Sequence, residues 1–113
     1  MDVTGLGWCG TRTEYDEQLA DFYQDVLGLT PVRAEPGLHV FQLGDGRHVE
    51  VFGPGYPGQE DFGRGPVVGF AVTDLPAAVE ELRSAGVELV GEPGPNWQHF
   101  RAPDGNVYEL TAS

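Results

Sequence analysis

The sequence predicts an α+β fold: two βαβββ modules whose strands form a curved mixed sheet around an open cup. Three observations predict it: a weak internal repeat, an amphipathic helix in each half, and an Asp-Gly turn near each half's end. In the repeat, Leu43-Gly44-Asp45-Gly46-Arg47-His48-Val49-Glu50-Val51-Phe52 lies over Ala102-Pro103-Asp104-Gly105-Asn106-Val107-Tyr108-Glu109-Leu110-Thr111 at a constant offset of 59. Asp-Gly meets Asp-Gly, Glu50 meets Glu109, and Phe41 meets Phe100 just upstream. Leu27-Gly28-Leu29 sits over Ala85-Gly86-Val87 at 58, a slip of one residue.

Each half then reads in the same order. Residues 3–9 and 66–72 are short apolar runs suited to a first strand. Between Asp16 and Leu27, the residues Leu19, Phe22, Tyr23, Val26 and Leu27 recur at spacings of three and four, so the segment predicts an amphipathic helix. Gly28 follows as its stop. The second helix is expected to open on Asp74 as cap, with Pro76 in its first turn, where a missing N–H costs little. It should bury Leu75, Ala78, Val79 and Leu82 and end at Gly86. Strands follow each helix, and the last two are joined through Asp45-Gly46 or Asp104-Gly105, a pair that tolerates the positive φ of a tight hairpin. Module 1 therefore covers about 1–53 and module 2 about 66–113. The Gly- and Pro-rich stretch between them, about 54–65, reads as an exposed linker.

Composition narrows the function classes. Eighteen Asp and Glu against six Arg, with no Lys, give a net charge of -12, which phosphate backbones repel, so nucleic acid is not an expected partner. The same charge either keeps the surface soluble or attracts a cationic ligand. A single cysteine, Cys9, excludes an intrachain disulfide; on an apolar strand it is expected to be packed rather than nucleophilic. No run approaches the ~18 apolar residues of a membrane helix. The opening Met1-Asp2-Val3-Thr4-Gly5 lacks the basic and apolar regions of a signal peptide, so the expected compartment is the cytoplasm and no membrane partner is expected. Gly5-Leu6-Gly7-Trp8-Cys9-Gly10 fits G-x-G-x-x-G. It lacks a preceding strand and a following long helix, and the chain is short for a dinucleotide fold.

Two segments carry a family resemblance. Asp21-Phe22-Tyr23-Gln24-Asp25-Val26-Leu27-Gly28-Leu29 resembles the "FY…VLG" helix end of the glyoxalase/bleomycin-resistance/dioxygenase (vicinal oxygen chelate) superfamily. Phe100-Arg101-Ala102-Pro103-Asp104-Gly105-Asn106-Val107-Tyr108-Glu109-Leu110 is similar to its last hairpin. The resemblance implies the cupped fold and a homodimer of this chain, but not one activity, since the superfamily holds isomerases, dioxygenases, thiol transferases and drug-binding proteins. It also implies where a metal would sit: one ligand from the first strand and one from the last strand of each module. The last-strand positions fall on Glu50 and Glu109, while the first-strand positions fall on Trp8 and Val67, which offer no donor. Two carboxylates suit poorly an ion that takes four to six ligands.

The expectation is thus a protein without cofactor or metal, binding a small, drug-like and cationic molecule in the cup. Its candidate ligand-binding residues are Trp8, His48, Glu50, Trp97, His99 and Glu109. The carboxylates would pair with a cation and the tryptophans would stack on it. Both tryptophans could equally fill the core or a dimer interface, and His48 could be an ordinary surface histidine. The alternative is a divalent-metal-dependent lyase, isomerase or dioxygenase, with Glu50 and Glu109 as catalytic and metal-binding candidates.

Overall fold

The computed structural model describes residues 1–113, and its architecture is α+β, with ten elements in the order β-α-β-β-β twice. They are β1 (Val3–Arg12), α1 (Asp16–Asp25), β2 (Thr30–Glu35), β3 (Leu38–Gln42), β4 (His48–Phe52), β5 (Gly65–Val72), α2 (Leu75–Ser84), β6 (Glu88–Val90), β7 (Trp97–Arg101) and β8 (Val107–Ala112). The chain forms two compact units, one of Trp8–Val67 and one of Met1–Gly7 with Val68–Ser113.

In the first unit the strands lie in the order β2-β3-β4-β1, antiparallel except for the parallel pair of β4 with β1. In the second the order is β5-β8-β7-β6, again with one parallel pair, β5 with β8. The repeat seen in the sequence is carried into the pairing. Gly10 is registered on Glu50 and Gly69 on Glu109; Val40 faces Glu50 and His99 faces Glu109. The two helices also begin and end 59 residues apart. The slip falls after the helices: the Leu29 N–H reaches the Tyr23 carbonyl, whereas the equivalent bond runs from Val87 to Leu82.

Local chemistry explains the element ends. The Asp74 side chain accepts from the Ala77 N–H at 3.1 Å, the cap expected of it, and Pro76 follows in the first turn. Both hairpins close identically. Gly46 donates to the Leu43 carbonyl and Gly105 to that of Ala102, each at 2.9 Å, and both glycines have φ of 86°. Asp45 and Asp104 each accept from the backbone N–H two residues on, which stiffens the turn.

Each helix covers one sheet face. Ala20 of α1 packs with Phe41 and Val51, flanked by Leu19, Tyr23 and Leu29. Ala78 of α2 packs with Val72 and Leu110, flanked by Phe70, Leu75, Leu82 and Phe100. The apolar stripe on α1 is narrower than its spacing implied. Leu19 and Tyr23 turn inward, but Phe22 is exposed on the helix, and Val26 and Leu27 are exposed beyond its end at Asp25.

Candidate functional site

Strand alternation puts the candidate residues on the sheet faces that the helices leave bare. On β4, Val51 lies under α1, so His48, Glu50 and Phe52 point the other way; on β1 their registered partners are Trp8, Gly10 and Arg12. His48 is exposed at the start of β4, two residues from Glu50 on this same face. Trp8 is buried. Its ring meets Phe62 edge-on at 5.8 Å and Phe52 at 6.3 Å between centroids, over Gly10, where a Cβ would stand 2.8 Å from the indole.

Phe62 belongs to the segment that composition marks as an exposed linker, yet it is only 1% exposed. Arg12 holds that segment down: its Nη1 donates to the Phe62 carbonyl and its Nη2 to the Pro54 carbonyl, both at 2.7 Å. Tyr56, from the same segment, donates to Glu35, which also takes Arg33. Within the stretch expected to be exposed, Phe62 is the buried exception, while Gly55, Pro57, Gly58, Glu60, Gly63 and Arg64 are exposed. Neither Phe62 nor Arg12 was distinguishable in sequence as part of this face.

In the other unit, His99 and Glu109 form a buried pair across β7 and β8, Nε2 to Oε2 2.9 Å, with Gly69 on the far side of Glu109. A buried imidazole held by a carboxylate has a fixed orientation and can accept or deliver a proton. Trp97 opens β7 and is 39% exposed, its ring lying on Gly94, where a Cβ would be 2.0 Å from the indole.

The positions a metal would need on the first strands do not supply it. Beside Glu50 stands Gly10, with Trp8 locked among aromatic rings; beside Glu109 stands Gly69, with Val67 buried two residues before it. The side chains there do not fit a divalent ion taking two donors from each module. A different donor group exists elsewhere. Asp16 and Glu17, in the first turn of α1, and His39, on the helix-covered face of β3, bring ligand atoms within 4.8 Å of one another. Nothing in the sequence singled out these residues, and their closeness depends on strand register.

The remaining motifs are accounted for by packing. The G-x-G-x-x-G run lies inside β1, where Gly7 leaves room for the Thr111 side chain and Gly10 for Trp8. Cys9 is exposed rather than packed, although it lies within β1. No helix is long and apolar enough to cross a membrane.

Two βαβββ modules in one chain, each with a last-strand glutamate on the face its helix leaves bare, define a class of folds built from a repeated module. The model of the Glyoxalase/Bleomycin resistance protein/Dioxygenase superfamily matches residues 5–110, and the chain belongs to that superfamily. No curated protein matches it. Among solved structures it is similar to methylmalonyl-CoA epimerase from Mycobacterium tuberculosis, at 25% identity and a TM-score of 0.70, covering 97% of this chain and 88% of that one. It is also similar to the Mn(II)-bound glyoxalase from Novosphingobium aromaticivorans, at 22% identity and a TM-score of 0.76, covering 97% of this chain and 39% of that one. A superfamily member from Vibrio splendidus 12B01 matches at 19% identity and a TM-score of 0.67, covering 93% of this chain and 96% of that one. The last two likenesses bear on the fold alone.

Proposed function

We propose that this chain binds small, cationic, drug-like molecules on its bare sheet faces, at Glu50 in one unit and at Glu109 in the other, without a metal. One observation carries the reading: glycine is the first-strand partner of both glutamates, Gly10 for Glu50 and Gly69 for Glu109. Glycine adds no donor beside either carboxylate, and at Gly10 the room it leaves is taken by the Trp8 indole, so neither position completes the ligand set of an ion. The net charge of -12 draws cations toward the protein. A partly desolvated carboxylate holds them more strongly than one in bulk water. We further propose that the protein works as a homodimer in the cytoplasm; the exposed Phe22 of α1 and Val26 and Leu27 just beyond it supply an apolar surface for pairing.

The test is calorimetric titration of a basic glycopeptide of the bleomycin class, with chelator present, against wild type and an E50Q/E109Q variant. The double change keeps side-chain shape, removes both charges, and is expected to weaken binding by about 1–3 kcal/mol. Binding that survives it unchanged would remove the glutamates as the recognition element.

A second reading rests on the buried His99–Glu109 pair. In it the chain is an enzyme that moves a proton on a small substrate; the 25%-identical neighbour is, by name, an epimerase. Turnover abolished by H99N would favour it.

A further inference from the structure

The unit containing α2 holds a groove of about 680 Å³ that neither glutamate lines. Its volume falls within the roughly 300–1,000 Å³ of sites that take drug-sized molecules. One wall is the first turns of α2, with Pro76, Val79 and Glu80; the other is the Pro93–Trp97 segment, with Pro93 and Pro95 beside the indole.

Trp97 gives this groove its chemistry. The ring rests directly on Gly94, so one side of it is fixed by backbone, while 39% of the residue stays open to solvent. It belongs to neither apolar core, so packing does not account for an exposed indole held this firmly. An aromatic surface immobilised in advance loses little entropy on stacking. The charge at the rim selects among planar ligands. Asp74 and Glu80 are both acidic, and the lone cation, Arg83, is ion-paired with Glu80. An anion would find no unpaired partner there, and the chain's net charge of -12 opposes it as well.

We infer that this groove is a further small-molecule site, taking a planar aromatic cation stacked on Trp97 with its charge toward Asp74. It is separate from the sites proposed at Glu50 and Glu109, and either proposal can fail without the other.

Proflavine, planar and cationic at neutral pH, is the probe, with neutral acridine at pH 8 as its uncharged counterpart. Calorimetry should show saturable proflavine binding, and amide shifts in a ¹⁵N-labelled sample should gather on Leu75–Glu80 and Pro93–Gln98. W97A should weaken binding about tenfold or more, the scale expected for loss of one stacking platform. W97F should retain most of it, and E50Q/E109Q should keep the α2 shifts. G94A, which must push the indole off its seat, should weaken binding while leaving the fold intact by circular dichroism. Absence of saturable binding, or W97A binding as tightly as wild type, would overturn the proposal. So would shifts confined to β4 and β8, or equal affinity for acridine.

Discussion

Tyr56, Glu35 and Arg33 form a small polar cluster whose titration has a definite sign. The Tyr56 hydroxyl, and then Arg33, hold the Glu35 carboxyl below its ordinary value of 4.5, while Glu35 raises the Tyr56 phenol above 10.0. A depressed carboxylate contributes stability above its unfolded value and loses it as pH falls through the folded one. A raised phenol contributes below its unfolded value and loses it as pH rises through the folded one. Y56F should therefore melt below wild type by a gap that is widest between these limits and closes at both acid and alkaline ends. Thermal melts at stepped pH check this; a gap that widens on acidification would contradict it. Single residues were unevenly legible. Glu50 and Glu109 were found because the repeat aligns them, and the same offset puts His99 where the other module has Val40. The cluster at Tyr56 and the anchoring by Arg12 were not legible, because both depend on where an irregular segment is laid, which no periodicity encodes.

The elements themselves were read well where the backbone demands particular residues. The Asp74 cap and the two Asp-Gly turns are local chemistry, and local chemistry is written in adjacent positions. Helix α1 was overextended in the sequence reading because Val26 and Leu27 continue the apolar spacing beyond Asp25, where the helix stops. In the segment between β4 and β5, Phe62 alone departs from the expected exposure, for the opposite reason: one buried phenylalanine among glycines and prolines makes no pattern. Phe62 is a fully buried ring against Trp8 and Phe52, so F62A should cost about 3–5 kcal/mol in urea unfolding, as for other buried phenylalanines. A cost under about 0.5 kcal/mol, typical of an exposed position, would place Phe62 with the exposed residues around it.

At the scale of the molecule, duplication is the organising fact. Two modules share an order of elements and a register, yet their bare faces differ: aromatic packing around Trp8 in one, a His99–Glu109 pair in the other. Divergence after duplication explains why the fold was legible and the ligand was not, since alignment preserves strand order and leaves side-chain chemistry free to change. The exposed apolar residues on α1 and just beyond it fit association of two chains, and light scattering at micromolar concentration should give twice the 12.2 kDa mass; the monomer mass alone would contradict it. The most direct test of metal-independent binding is elemental analysis after dialysis against Mn²⁺ and then metal-free buffer, on wild type, E50Q/E109Q and H39A. H39A separates out any ion held by Asp16, Glu17 and His39. The account predicts metal well below one ion per chain in wild type, with no difference in E50Q/E109Q. About one ion per chain, lost in E50Q/E109Q and kept in H39A, would contradict it.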